Sequence, residues 1–369
     1  MNILIINLIL TTAEKGVITR RKSIKDTMAC SLARGFVALG HQVTLLASEE
    51  FMPTETENHS FQVVFFKSRY PHIFKPDLLP WPKGLGQYLK SHIDNFDLVI
   101  SKEAFSMGTL IASLHCKEKL VIWHEMALHQ RLMHHLPSKT WYSVVAAHFM
   151  KGIMVIPVSK PAQEFIAHYL QNVSDEIVDH PADPDVLFPS QETSDSLIVV
   201  SQLIQRKNID KIILTFARFI QHEDYKHYTL HIIGDGAMRQ ELERLIADNE
   251  LSHNVILHGF MTHDQLAQFL RQSKALLFKT SKDNNVVTIP EAIVSGTPIV
   301  MNSVPTNATF VKENNLGIVK DNWNEHDLME LIHNYPVYHE ACLNVRDSLT
   351  NVGCARKLIE IYTRGKSAY

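Results

Sequence analysis

The chain has 369 residues, 45% hydrophobic and 20% charged, long enough for two ordinary α/β domains with a core in each. Its 36 basic and 39 acidic residues leave a formal charge of −3, which gives no general case for binding nucleic acid. Four scattered cysteines (Cys30, Cys116, Cys342, Cys354) form no C-x-x-C pair, so reduced thiols in a cytosolic protein are expected and a disulfide framework is not.

The first ten residues, MNILIINLIL, read as a buried strand. They are too short to span a bilayer and lack the basic leader and cleavage site of a signal peptide. No other segment approaches membrane-span length, so a cytoplasmic protein is expected, with peripheral contact at the inner face of the cell membrane left open. A polar loop containing Gly16 follows, then a helix over about 24–39, Gly40-His41 as its end, and a strand over 42–47. Strand, loop, helix and strand in that order open a doubly wound parallel sheet. Arg20, Arg21, Lys22 and Lys25 cluster at the end of the loop. A solvated helix start explains them, with a phosphate-bearing acceptor such as a lipid diphosphate as the functional alternative.

Further strands are expected over 61–66, 96–101 and 120–123. Between the first two, residues 67–83 form an irregular excursion rich in proline, with Tyr70, Phe74 and Trp81 packed or lining an acceptor site. The strand over 120–123 ends at His124, placed to donate to a sugar or to move a proton. His124 and His129 are five apart and diverge on a helix, so a zinc-protease pair is excluded; His129, His134 and His135 are read as solvated. A partly amphipathic helix is expected over 132–150, buried by default and able to rest on a membrane surface. A strand over 152–158 and a helix to 170 precede a linker, DHPADPDVLFPSQETSDS.

A second α/β alternation begins at Leu197. Its first strand leads into a loop with Gln202, Arg206 and Lys207, and a phosphate-gripping role suits Lys207 at a strand's carboxyl end. Strands over 228–233 and 254–257 follow, the first ending in Gly234-Asp235-Gly236, a tight turn that is weak evidence of anything further. The strand over 275–280 opens the most informative stretch, SKDNNVVTIPEAIVSGTPIV. Its loop carries Asp283, Asn284 and Asn285 and runs into a helix with proline near its start. Gly296 ends that helix and the next strand begins at Pro298. A helix start suits an anion, and Glu291 suits a pair of sugar hydroxyls, which together fit a nucleotide sugar. A plain helix-capping loop with a surface glutamate is the bland alternative.

Asp283, Asn284, Thr288, Glu291, Ala292, Gly296, Thr297 and Pro298 reproduce the pattern D-N-x-x-x-T-x-x-E-A-x-x-x-G-T-P. The stretch resembles the E-x7-E signature of the retaining glycosyltransferases of family four, nearest to the bacterial surface-polysaccharide branch, where Asp-Asn replaces the first Glu. The resemblance extends in ordered short segments from about residue 1 to 330. It implies the GT-B fold: two doubly wound Rossmann-like α/β domains facing a central cleft. The expected bounds are 1–180 for the acceptor-side domain, 181–345 for the nucleotide-sugar domain and 346–369 for a final helix returning to the first.

The resemblance implies transfer of a sugar from a nucleoside diphosphate sugar to an acceptor hydroxyl, carbohydrate or lipid-linked, with retention and without a metal or other cofactor. Lys207, with Arg206 beside it, would stabilise the departing diphosphate; Glu291 would hold the ribose. Asp283 would address a sugar hydroxyl, and His124 the sugar from the first domain. Asn284, Asn285, Val286, Val287 and Thr288 would line the diphosphate and sugar, and Gly259 and Phe260 the base. Gly16 is the glycine left at the acceptor-side loop, where family members carry a pair. Gln202 stands where the family has arginine. Both departures favour a rival reading, a non-catalytic subunit that binds a nucleotide or a partner. A nucleotide-sugar 2-epimerase is a third reading, and the carboxylate spacing opposes it.

Overall fold

The computed structural model describes residues 1–11, 17–18, 20–130 and 132–367. The chain divides into two compact units, one of residues 1–181 and 351–369, the other of residues 182–350.

In the first unit the strands are β1 (Asn2–Ile6), β2 (Gln42–Ser48), β3 (Gln62–Phe66), β4 (Leu98–Lys102), β5 (Leu120–His124) and β6 (Met154–Pro157). They form one parallel sheet in the order β3-β2-β1-β4-β5-β6. Strand side chains alternate between faces, and apolar residues on both faces require cover on both. Ile3 and Ile5 pack beneath the helices Met28–Ala38 and Asn351–Ser367, while Leu4 and Ile6 join the opposite core with Leu85, Leu89, Met107 and Tyr142. The last helix belongs to this unit: Cys354, Ala355, Leu358, Ile361 and Tyr362 are buried in its core.

The second unit repeats the plan with β7 (Ser196–Val200), β8 (Thr229–Ile233), β9 (Val255–Gly259), β10 (Ala275–Phe278), β11 (Ile299–Met301) and β12 (Gly317–Val319), in the order β12-β11-β10-β7-β8-β9. Leu197 and Val199 face one core, Ile198 the other, and β10 alternates likewise. All pairings are parallel. These two six-stranded sheets have the strand orders of doubly wound folds, in which chain reversal between two central strands opens a crevice at their carboxyl ends. In the first unit the reversal falls between β1 and β4, in the second between β7 and β10.

Two sequence expectations need correction. The helix over 132–150 is broken into a 3-10 turn (Leu132–His135), an α-helical turn (Leu136–Thr140), a π-helical stretch (Trp141–Ala146) and a final turn (Ala147–Phe149). His135, with φ 70°, stops the first piece. The wider π turn lets Trp141, Tyr142 and Ala146 all face the core, with Trp141 Nε1 donating to the Ala104 carbonyl at 2.8 Å. His129 and His135 are half-buried and hydrogen-bonded rather than free in solvent. His129 bonds Ser138 and the Tyr169 hydroxyl at 3.0 and 2.9 Å, and His135 Nδ1 bonds the Gln130 carbonyl at 2.8 Å. Strand β12 went unread because three residues carry no periodicity. All four cysteines are buried, and none is in a disulfide among the described residues. Among the described residues, no helix is long and apolar enough to cross a membrane.

Candidate active site

At the reversal between β7 and β10 two loops leave in opposite directions, and their side chains meet. The loop after β7 turns through a short 3-10 segment, Gln205–Lys207, and Asn208 at φ 49° redirects it into the helix Ile209–Phe219. The loop after β10 carries Asp283. Arg206 Nη1 donates to Asp283 Oδ1 at 2.9 Å and to the Lys282 carbonyl at 2.6 Å; Lys207 Nζ donates to Asp283 Oδ2 at 2.6 Å. The Arg206 carbonyl accepts from Ser281 N–H at 2.8 Å and from the Thr280 hydroxyl at 3.1 Å, so backbone and side chain alike fasten the loops together. Lys207 also lies over the Phe278 ring, 4.7 Å from its centroid. Burial pulls the Lys207 ammonium below the ordinary lysine range, and the bond to Asp283 works against that pull. Two cations against one carboxylate leave a net positive charge at the edge where such sheets bind ligands.

The rest of this loop is held by residues that the sequence reading passed over. Asn302, just after β11, accepts from Thr280 N–H at 3.1 Å and donates to its carbonyl at 2.7 Å. Asn307 does the same for Val286, at 3.5 and 3.0 Å. Thr306 Oγ1 donates to Asn285 Oδ1 at 3.2 Å, and Thr306 N–H donates to the Asn284 carbonyl at 3.3 Å. Local spacing reveals neither asparagine, since each reaches from the loop after β11 to the loop after β10. Val286 is buried, whereas Asn284 and Val287 are exposed; Thr288 Oγ1 is sealed off with no partner among the described residues.

Glu291 sits in the helix Thr288–Val294 and is 5% exposed. Its Oε1 accepts from His263 Nε2 at 2.9 Å. His263 begins the helix His263–Gln272, which Thr262 and Gln265 cap reciprocally, and it follows the β9 loop with Gly259 and Phe260. Phe260 is 79% exposed. Gly259 adopts φ 80°, and its carbonyl accepts from Gly234 N–H at 2.8 Å. The second unit thus brings Arg206, Lys207 and Asp283 into direct contact and ties Glu291 to the β9 loop.

The first unit places His124 at the end of β5 with none of its surface accessible. Its ring stacks on Phe165 and meets Tyr142 edge-on. Nδ1 lies 3.0 Å from Glu103 Oε2, off the line of a good hydrogen bond, while Nε2 has no partner among the described residues. Glu103, missed in the sequence, holds a left-handed backbone at φ 70° and accepts from Glu125 N–H at 2.7 Å. Gly16 lies outside the described residues. A hollow lined by His41, Tyr88 and His92 opens at the amino ends of the first sheet, remote from the carboxyl edge that carries these groups.

The sequence profile of the family described as "Glycosyl transferases group 1" matches residues 188–335. The chain is similar to the alpha-monoglucosyldiacylglycerol synthase of Streptococcus pneumoniae, at 23% identity over 138 residues, 37% of this chain and 30% of that protein. It is also similar to the GtfA subunit of a UDP-N-acetylglucosamine–peptide N-acetylglucosaminyltransferase of Streptococcus agalactiae, at 33% identity over 122 residues, 33% of this chain and 23% of that protein. The chain therefore spans less than a third of the length of either relative. Among solved structures, the sucrose-phosphate synthase of Thermosynechococcus elongatus superposes with a TM-score of 0.69 over 100% of both chains, at 13% identity.

Proposed function

We propose that the chain, whose residues 188–335 match the glycosyl transferases group 1 profile and whose fold superposes on a solved synthase, is a retaining glycosyltransferase of GT-B fold that takes its sugar from a nucleoside diphosphate sugar. The observation that carries this reading is the meeting of Arg206 and Lys207 on Asp283 at the β7–β10 reversal. A departing diphosphate gains negative charge as the glycosidic bond breaks, and cations fixed beforehand stabilise that charge without reorganising. The donor diphosphate competes with Asp283 for the two cations and releases its carboxylate to a sugar hydroxyl. Arg206 thereby supplies the positive charge that Gln202 does not. Glu291 takes the ribose hydroxyls, the Gly259–Phe260 loop the base, and residues 284–288 the diphosphate and sugar. His124 addresses the sugar through Nε2, the ring atom with no partner among the described residues.

No side chain serves as nucleophile in this scheme; the leaving phosphate accepts the acceptor's proton, and no metal is required. The two carboxylates are therefore not a glycosidase pair. The relatives' names support the stereochemistry and the base: one makes an alpha-glucosyl lipid and the other uses UDP-N-acetylglucosamine. We place the reaction in the cytoplasm, with a cell-surface polysaccharide or glycolipid precursor as acceptor, reached at the inner membrane face when it is lipid-linked.

The test is to incubate the protein with UDP-glucose and UDP-N-acetylglucosamine, each with diacylglycerol vesicles, polyol-phosphate chains or oligosaccharides, and to follow the anomeric proton by NMR. Acceptor-dependent release of UDP with an α-linked product is expected. A β-linked product would contradict retention, and binding without turnover of either sugar would favour the non-catalytic subunit.

A further inference from the structure

We propose that His263 is a positioning residue for the ribose, which fixes Glu291 so that the second oxygen of its carboxylate is presented to the ligand. The proposal rests on the reading of Glu291 as the ribose contact. A carboxylate as deeply buried as this one is costly unless its oxygens are bonded. Among the described residues, His263 Nε2 at 2.9 Å is the side-chain donor on it, and that bond goes to Oε1. Among the described residues, Oε2 accepts no hydrogen bond and is not one of the sealed buried atoms, so the small accessible part of Glu291 includes it. One oxygen is therefore anchored and the other is open.

The anchor is itself rigid. His263 is the first residue of its helix, and the capping box fixes the turn before it, with Thr262 N–H donating to Gln265 Oε1 at 3.1 Å. It comes from the β9 loop, whereas Glu291 comes from the β10 loop, so the bond ties the proposed ribose contact to the proposed base contact four residues before His263. A glutamate side chain has three torsions; one strong bond in a low-dielectric setting removes most of that freedom before the ligand arrives. The contribution of His263 is then felt only by ligands that carry ribose hydroxyls.

The experiment titrates UDP, ADP and GDP, and the 2′,3′-dideoxy form of whichever binds, into the wild-type chain, His263→Ala and His263→Gln. Wild type is expected to prefer the ribose form by about tenfold or more, as for a hydrogen bond to a charged group. His263→Ala is expected to lose most of that preference while its affinity for the dideoxy form holds. His263→Gln, whose amide N–H can stand in for Nε2, is expected to keep it. A wild type that binds no diphosphate, or does not prefer ribose, overturns the reading of Glu291. A preference that survives in His263→Ala, or is lost equally in His263→Gln, overturns the role of His263 alone.

Discussion

Glu125 in the first unit lies 3.0 Å from Lys102 Nζ and 3.2 Å from His180 Nε2, and Lys102 is laid over the Trp123 ring at 4.0 Å. Burial alone would raise its pKa, but Lys102 and His180 more than offset this and hold it well below the usual carboxylate range. A carboxyl with a depressed folded pKa stabilises the fold above its unfolded value, 4.5, and loses that contribution as pH falls toward the folded value. Glu125→Gln leaves Lys102 without its counter-charge and is expected to cost about 3 kcal/mol at pH 7. The gap from wild type should narrow as pH falls below about 4.5, as read by denaturant unfolding; a gap as wide at pH 3 as at pH 7 would contradict the charge assignment. Residues such as Asp283 and Glu291 were legible because one short pattern carries both. Glu103, His263, Asn302 and Asn307 were not, since they join loops from different strands and nothing in local spacing links them.

Elements were legible where strand and helix periods run long enough to see. Strand β12 was too short, and the π turn was hidden because its reason is the packing of Trp141 and Tyr142. The turn Gly234-Asp235-Gly236 shows how tertiary contact decides an element. A Cβ on Gly234 would sit 1.9 Å from the Ser201 carbonyl oxygen, at φ 134°. Leu203 N–H donates to the Asp235 carbonyl at 3.0 Å, and Met238 N–H to the Leu203 carbonyl at 2.9 Å. The glycines let the β8 loop lie on the β7 loop that leads to Arg206 and Lys207. Gly234→Ala is expected to cost about 3 kcal/mol or more, seen as earlier unfolding of the second unit by the fluorescence of Trp323. Gly40→Ala, with φ +82° but open space around it, is the control and should cost about 1 kcal/mol. Equal melting of the two variants would contradict the close-contact argument.

Over the whole molecule, each unit buries its own two-faced core, and the chain crosses from one to the other after Pro181 and returns at Asn351. The alternation of buried strands and amphipathic helices made this plan readable, because each sheet needs cover on both faces. A net charge of −3 gives no long-range attraction for an anion. On the proposed reading, affinity for a diphosphate is local, with Arg206 and Lys207 supplying the positive charge in competition with Asp283. The most direct test is calorimetric titration of UDP, ADP and GDP into wild type, Lys207→Ala and Asp283→Asn. One diphosphate should bind wild type, about tenfold or more weaker to Lys207→Ala and several-fold tighter to Asp283→Asn. Absence of binding to the folded wild type, or affinities that neither substitution moves, would contradict the assignment of this loop pair as the donor site.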